Sequence, residues 1–152
     1  MKKGFTLIEL LVVIAIIGIL ASIVLVSFPG AQKKARDSRV VSAISQARTI
    51  MTYINANDGN YDEFTATHAD MVNIWAEIIA NDATGATPYI TYVGATGSTD
   101  ACIYARLSAK TDWYYCASSD GRAGFTTTDP GNATDGTCIG TASASCPTDI
   151  SG

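Results

Sequence analysis

The chain has 152 residues and a formal net charge of −4, which places it in the size range of a single domain. Its hydrophobic fraction of 47% is ordinary, but the apolar residues are concentrated near the N-terminus. From residue 58 onward, three basic and twelve acidic side chains give a net charge of −9, which repels the phosphate backbone of nucleic acids. The composition therefore argues against a nucleic-acid-binding protein and no direct nucleic-acid partner is expected.

An apolar segment runs from Phe5 to Phe28 and is long enough to cross a bilayer as a helix. It contains one charged residue, Glu9, and no Lys, Arg or His. A carboxylate inside a membrane-spanning segment costs roughly 2.5–3.5 kcal/mol on insertion scales, so such a residue is expected to have a partner or a function. Because the segment itself holds no cation, we expect the partner of Glu9 to come from outside it.

Two ordinary interpretations leave part of this N-terminus unexplained. A cleaved secretory signal would use Lys2 and Lys3 as its basic region. The apolar run, however, exceeds the usual length of about 7–15 residues, and no clear small-residue cleavage site ends it. A plain membrane anchor explains the length and the hydrophobicity, but it gives Glu9 no role.

A third interpretation uses every residue of the N-terminal block, which reads K-K-G-F-T-L-I-E-L-L. This block resembles the leader of type IV pilins and of the pseudopilins of type II secretion. The resemblance implies that a membrane peptidase cuts between Gly4 and Phe5 and that Phe5 is then N-methylated. It also implies that Glu9 neutralises the terminal amine of a neighbouring subunit during filament assembly. Electrostatics agree, because cleavage creates a cation at Phe5 and opposite charges attract strongly at low dielectric constant.

The four cysteines, at positions 102, 116, 138 and 146, fit an exported domain. An even number of cysteines in a chain with an export-type N-terminus predicts two disulfides. No C-x-x-C pair occurs and His68 is the single histidine, so a zinc site is not expected.

Basic residues flank the apolar segment on both sides, so charge counting leaves the topology ambiguous. The leader and the cysteines favour a precursor whose N-terminus faces the cytoplasm.

Helical periodicity continues beyond Pro29 and Gly30. Apolar residues recur on one face of this second stretch, with polar residues opposite. The apolar stripe consists of Val40, Ile44, Ala47, Met51 and Ile54. We predict one long helix from about Phe5 to Asn55, kinked or loosened near Pro29, whose second half carries a globular head. Turn-forming residues at 55–61 are expected to end it.

The head is predicted to contain a short helix and a small antiparallel sheet. A capping sequence at 67–70 starts a helix that reaches about Ala80 and leaves His68 near its exposed first turn. The residues expected to face inward are Met71, Ile74, Trp75, Ile78 and Ile79. Strand-forming residues are concentrated at Pro88–Val93, Ala101–Leu107 and Asp112–Ser118. The predicted fold class is therefore α+β and pilin-like, with the long helix packed against these elements.

The turn between the last two strands determines the predicted disulfides. If it centres on Ala109, Cys102 lies directly opposite Cys116, close enough to bridge as a non-hydrogen-bonded pair. This register predicts the pairs Cys102–Cys116 and Cys138–Cys146, while the other two connectivities stay open. The chain then divides into a leader (1–4), a transmembrane assembly helix (5–28), the amphipathic half of the helix (29–57), the head (58–125) and a disulfide-stapled irregular region (126–152).

No catalytic constellation is recognisable in the head, so we expect neither an enzyme nor a cofactor. Asp120, Asp129 and Asp135 form a weak calcium candidate, because the leader resembles that of the major pseudopilins, which bind calcium in a C-terminal loop. Their spacing matches no rigid calcium loop. Solvated turn residues are the favoured interpretation, and no metal is expected.

The sequence predicts the precursor of a structural subunit in a type IV pilus-like filament. The expected partners are identical subunits, a prepilin peptidase, pilus assembly machinery, and the membrane before assembly. The filament would be an extracellular pilus or a periplasmic pseudopilus. The alternatives are a type II secretion pseudopilin, a minor pilin acting in adhesion or DNA uptake, and a membrane-anchored enzyme. The basic stretch Lys33–Arg48 suits either a neighbour's acidic head or lipid headgroups.

Overall fold

The structure, a computed structural model, describes residues 4–83, 89–92, 97–110, 112–131, 138 and 144–147. Its elements in chain order are α1 (Leu7–Asp58), α2 (Val72–Asn81), β1 (Tyr89–Tyr92), β2 (Ala101–Arg106), β3 (Tyr114–Ser118) and β4 (Ala123–Thr126). The strands form one antiparallel sheet in the order β1-β2-β3-β4. A long N-terminal helix, a short helix and a small antiparallel sheet confirm the predicted α+β class.

Helix α1 is assigned without a break through Pro29. A proline removes one backbone hydrogen bond from a helix interior, and the Ala-, Gln- and Lys-rich stretch that follows Pro29 favours continuation of the helix. The chain forms two compact units, Met1–Lys33 and Lys34–Gly152, so α1 contributes to both.

The helix ends three residues beyond the predicted Asn55. Gly59 adopts a left-handed φ of +70° there, and its N–H donates to the carbonyl of Asn55 at 2.9 Å.

The predicted apolar stripe of α1 forms the centre of the head. All five of its residues are buried, which confirms the periodicity argument. They share one core with Phe64, Met71 and Ile78 and with Ile103 and Ala117 of the sheet. Full burial of each large side chain of this kind contributes about 1.5–3 kcal/mol relative to exposure. The stripe therefore holds the head on the helix.

Helix α2 begins later than predicted. Residues 67–70 form turns, the helix starts at Val72, and no side chain caps its first turn. The predicted capping box is therefore wrong, because the backbone carbonyl of His68 accepts the N–H groups of Met71 (2.9 Å) and Val72 (3.1 Å) instead. His68 itself is half-buried rather than exposed, with 22% of its side chain accessible.

The inward face of α2 is partly as predicted. Met71 and Ile78 are buried, and Ile74 and Trp75 are half-buried against the core. Ile79 is 39% exposed, so its predicted inward position is wrong. The buried position near the end of the helix belongs to Asn81, whose Nδ2 donates to the carbonyl of Glu77 at 2.8 Å.

The β2–β3 register differs from the predicted one by two residues. Cys102 pairs with Ser118 and Tyr104 pairs with Cys116, so the turn centres on Lys110 rather than on Ala109. The ladder extends to Leu107, whose N–H donates to the carbonyl of Trp113 at 2.8 Å.

Two aspartates, one on α1 and one in the turn itself, explain the shift. The Asp37 carboxylate of α1 accepts the N–H of Ser108 at 2.5 Å and the N–H of Ala109 at 2.9 Å, which fixes the start of the turn. Asp112 adopts a φ of +64°, a left-handed conformation that aspartate tolerates better than most residues.

The disulfides join Cys102 to Cys138 and Cys116 to Cys146, with Cα–Cα distances of 5.5 Å and 5.9 Å. The predicted pairs Cys102–Cys116 and Cys138–Cys146 are therefore wrong. The strand cysteines are diagonal rather than opposite neighbours, with sulfurs 3.4 Å apart. All four sulfurs lie in a second buried cluster with Tyr104 and Ala144, so each strand cysteine bonds to one from the C-terminal region.

Strand β4 was not predicted from the sequence. Its four residues, A-G-F-T, are too short and too glycine-rich to give a strand pattern. The available signal was the preceding Asp120-Gly121 dipeptide, a frequent hairpin turn. Gly121 adopts a φ of +96°, and the Ser118 N–H donates to the Arg122 carbonyl at 2.9 Å across that turn.

A tryptic digest without reduction tests the cysteine pairing. Trypsin cuts after Arg106, Lys110 and Arg122, which separates Cys102 from Cys116 and leaves the other two cysteines on one peptide, 123–152. We expect one complex of three linked peptides, because each strand cysteine is joined to that C-terminal peptide. Mass spectrometry that finds peptide 123–152 free, beside a linked pair of the other two, would contradict this pairing.

One carboxylate ties the connection after α1 to the segment before β2. Asp62 Oδ1 accepts the hydroxyl and the N–H of Ser98 at 2.6 and 2.9 Å, and Oδ2 accepts the N–H of Gly97 at 2.6 Å. The Ser98 hydroxyl, followed by the two backbone donors, lowers the pKa of Asp62 below its ordinary value of 3.8. A carboxylate whose pKa is lower in the folded state stabilises the fold above the unfolded-state pKa. It loses that contribution as pH falls through the folded-state pKa.

We therefore expect Asp62→Asn to weaken the acid dependence of unfolding. The thermal midpoint of the detergent-solubilised wild type should fall as pH drops below about 3.8, and the variant should show a smaller fall over the same range. At neutral pH the variant should already be less stable, because the amide cannot accept all three bonds. Asp58→Asn, which removes an exposed carboxylate without these donors, is the matched control. Identical pH profiles for wild type and Asp62→Asn would refute this role.

Candidate assembly and processing site

The backbone before α1 is exposed and not helical. Residues 4–6 precede the first helical turn, and the Phe5 side chain is 80% exposed. A Cβ added at Gly4 would meet no other atom within 4 Å. The Gly4–Phe5 bond, where the leader predicts cleavage, thus lies in the kind of accessible segment that peptidases cut.

Glu9 has a hydrogen-bond partner inside its own segment. Its Oε2 accepts the backbone N–H of Thr6 at 2.9 Å and the Thr6 hydroxyl at 2.7 Å. In return, the N–H of Glu9 approaches Thr6 Oγ1 at 3.4 Å. This reciprocal arrangement is a capping box, with Thr6 at the N-cap and Glu9 three residues later. The expectation that no partner exists within the segment is wrong for hydrogen bonds, and the T-x-x-E spacing was the signal that could have revealed it.

The capping box leaves the charge of Glu9 uncompensated. Thr6 is neutral, and both of its donors bond to Oε2, so Oε1 accepts no hydrogen bond in the described part of the chain. The carboxylate lies in the first turn of α1, where the positive end of the helix dipole favours an anion. Chemically, the site is a fixed, half-satisfied carboxylate that can accept one further cation through Oε1.

The helix that follows is apolar and fully exposed within its own unit. Its segment Leu7–Leu25 is long and apolar enough to cross a membrane, and none of it is buried. The one hydroxyl side chain of this segment, that of Ser22, donates to the Gly18 carbonyl at 2.8 Å, so it needs no hydrogen-bond partner outside the helix. A surface of this kind requires lipid or other apolar helices around it.

The weak calcium candidate gains no support from the residues that the structure describes. Asp120 accepts the Ser118 hydroxyl and the Arg122 N–H at 2.5 and 3.1 Å, and it pairs with the Arg122 guanidinium at 3.2 Å. Asp129 accepts the N–H of Gly131 at 2.9 Å. Asp135 lies outside the described residues. In the described ranges, the clustered potential ligands are Cys102, Cys116 and Cys138, which form disulfides.

Asp129 also influences a neighbouring tyrosine. Burial raises the pKa of Tyr114 above its ordinary value of 10.0, and the nearby negative charge of Asp129 raises it further. Tyr114 packs edge-on against Tyr104, with ring centroids 6.3 Å apart. These contacts lie in the buried cluster that contains the disulfides.

The fold and this N-terminal site define a class, that of membrane-anchored proteins that carry an α+β head on one long N-terminal helix. Residues 1–25 match the prokaryotic N-terminal methylation motif. The chain is 31% identical over 112 residues to the type IV wide pilus major component PilA4 of Thermus thermophilus, across 74% of this chain and 79% of that protein. The chain therefore belongs to the type IV pilin family.

Two further relatives match shorter stretches. The chain is 34% identical over 90 residues to the type IV major fimbrial protein FimA of Dichelobacter nodosus, which is 58% of each chain. It is 36% identical over 63 residues to the type IV major pilin protein PilE1 of Neisseria gonorrhoeae, covering 41% of this chain and 38% of that protein. No solved structure matches.

Proposed function

We propose that this chain is the precursor of a structural subunit of a type IV pilus-like filament. In this proposal it is processed after Gly4 and polymerises through the N-terminal half of α1. The proposal rests on the exposed apolar segment Leu7–Leu25. Its one carboxylate, Glu9, accepts the Thr6 bonds through Oε2 and keeps Oε1 for a further partner. The relatives are named as major components of pili and fimbriae, which supports a structural role rather than an enzymatic one.

Polymerisation follows from the energetics of the apolar helix. A subunit leaves the membrane only if another apolar surface replaces lipid around Leu7–Leu25. A bundle of identical helices provides such a surface and keeps the burial of its Leu, Ile and Val side chains, which contributes about 25 cal/mol for each Å² kept from water. A head-to-tail contact that does not close on itself extends such a bundle into a helical filament.

Cleavage supplies the cation that the apolar segment lacks. Cutting after Gly4 turns the backbone N–H of Phe5 into an amine, which N-methylation leaves positively charged. An unpaired charge in an apolar bundle is costly, whereas an amine and a carboxylate brought together there attract strongly. Glu9 Oε1 is the free acceptor for the Phe5 amine of a neighbouring subunit.

The remaining partners belong to the same proposal. A prepilin peptidase would act on the exposed, non-helical segment before α1. The precursor would reside in the cytoplasmic membrane with its N-terminus inside, which places the disulfide-bonded head in an oxidising compartment. Assembly machinery would then move subunits from the membrane into a pilus. Electron microscopy and mass spectrometry of fibres sheared from cells test the proposal, which requires this chain as a principal fibre component.

Removing the charge of Glu9 should block assembly and leave processing intact. Glu9→Gln keeps the side-chain shape and an oxygen for Thr6, but it loses the attraction to the amine, so sheared fibres should fall at least about tenfold. Glu9→Ala should have the same effect. Ser22→Ala is the matched control, because it changes a polar residue of the same helix that bonds only within the helix. Fibres of normal abundance from the Glu9 variants would refute the pairing role.

A bulky residue at Gly4 should block processing. No other atom lies within 4 Å of a Cβ added at Gly4, so Gly4→Leu should leave the fold intact. It should impair only recognition by the peptidase. Immunoblots should show full-length precursor in the membrane and little mature chain. Gly18→Ala, at another glycine with open space around it, serves as the control. Mature protein at wild-type levels from the Gly4 variant would contradict cleavage at this position.

A further inference from the structure

A groove lies beside the head half of α1, near Lys34. Its volume is about 590 Å³, and its lining includes Lys34, Ser38, Leu107, Lys110, Trp113 and Phe125. Leu107 is buried and Trp113 and Phe125 are half-buried, which makes the floor apolar. Lys110 Nζ lies 3.8 Å from the centre of the Trp113 ring, so one cation is held at the side of the groove.

The net charge of the residues that line this groove is positive, because Lys34 and Lys110 outnumber Asp37. Asp37 keeps its negative charge, but its two carboxylate oxygens already accept the N–H groups of Ser108 and Ala109. Lys34 is exposed and forms no ion pair with any residue that the structure describes. Lys33 and Arg36 of α1 are also exposed, but they do not line the groove, and the two remaining basic residues of the helix have partners within the head.

Arg39 and Arg48 each have a partner inside the head. Arg39 lies 3.8 Å from the carboxylate of Glu77, and Arg48 donates to the Gly121 carbonyl at 2.7 Å. Lys34 and Lys110 therefore remain as the groove's two cations for an external anion.

The opposite charge lies in the acidic turn, by which we mean the last residue of α1, Asp58, and the turn that follows it. Asp58 and Glu63 are both exposed, and their carboxylates have no partner within the described ranges. Asp62 lies between them in sequence, but Gly97 and Ser98 occupy its oxygens. The last turn of α1 contains no basic residue, so these acids lie at the negative end of the helix dipole with no cation nearby in the helix. A cation from another molecule is the missing element.

The two surfaces cannot meet within one molecule. Ser38 of the groove and Asp58 lie twenty residues apart on one helix, which is about 30 Å along its axis. A surface and its complement at opposite ends of a rigid rod produce a head-to-tail contact between copies, and such a contact extends into a filament when its rotation does not close a ring.

We propose that the groove of one subunit receives the acidic turn of a second copy, with Asp58 and Glu63 facing Lys34 and Lys110. This interface rests on the proposed filament function and is separate from the Glu9 site. It joins the heads of successive subunits, whereas Glu9 acts among their apolar helices. Opposite charge fixes the register of the contact, and the apolar floor adds buried area.

Charge reversal with rescue in the full-length chain tests this interface. The first variant carries Lys34→Glu and Lys110→Glu, the second carries Asp58→Lys and Glu63→Lys, and the third combines all four. Each pair should lower the yield of sheared fibres at least about tenfold, and the combination should restore it to within about threefold of wild type. Arg36→Glu is the matched control, because two residues from Lys34 it lies on another face of α1.

Every outcome decides the question. Loss in both pairs with rescue in the combination supports the interface, whereas loss without rescue, or no loss, overturns it. If the reversed groove variant fails to accumulate, Lys34→Gln with Lys110→Gln decides instead, and unchanged yield in that variant overturns the interface. Loss confined to the groove variant, with reduced binding to vesicles that contain anionic phospholipid, assigns the cations to lipid headgroups and overturns it. A wild type without fibres refutes the filament function itself.

Discussion

A carboxylate with one satisfied oxygen, fixed at the start of an apolar helix, constrains the rest of this molecule. Thr6 supplies two hydrogen bonds to Glu9, which makes the group tolerable at the helix end but leaves its charge in place. The helix that follows has no polar surface to offer water. Association with identical processed chains would satisfy both demands, since neighbouring helices cover the apolar surface and a neighbouring amine pairs with the carboxylate.

The head is organised by the same helix through a different set of residues. Its apolar stripe packs against one face of the sheet, and the two disulfides lie in a separate buried cluster with Tyr104 and Ala144. Asp37 connects the helix to the disulfide-bonded sheet. Its carboxylate fixes the turn that sets the strand register, and the register positions the cysteines. The second half of α1 is thus both the core of the head and the element that aligns its sheet.

The features that the sequence predicted are those set by local periodicity. The stripe from Val40 to Ile54 follows from a repeat of 3.6 residues and is buried as expected. The register, and with it the disulfides, was missed because it depends on Asp37, some seventy residues from the turn that it fixes. Strand β4 was missed because A-G-F-T has little strand propensity and forms by pairing with β3. The Thr6–Glu9 capping box does not follow from charge, because Thr6 is neutral and pairs with Glu9 through hydrogen bonds alone.

A high-resolution cryo-electron microscopy reconstruction of the fibre tests the pairing of Glu9 with a neighbouring amine, because it shows every N-terminus beside its neighbours. We expect the chain to begin at Phe5 and its nitrogen to lie within about 4 Å of a Glu9 carboxylate from an adjacent subunit. Thr6 should still bond to the other oxygen. A map in which the chain still begins at Met1, or in which the Phe5 nitrogen lies far from every neighbouring Glu9, would contradict it.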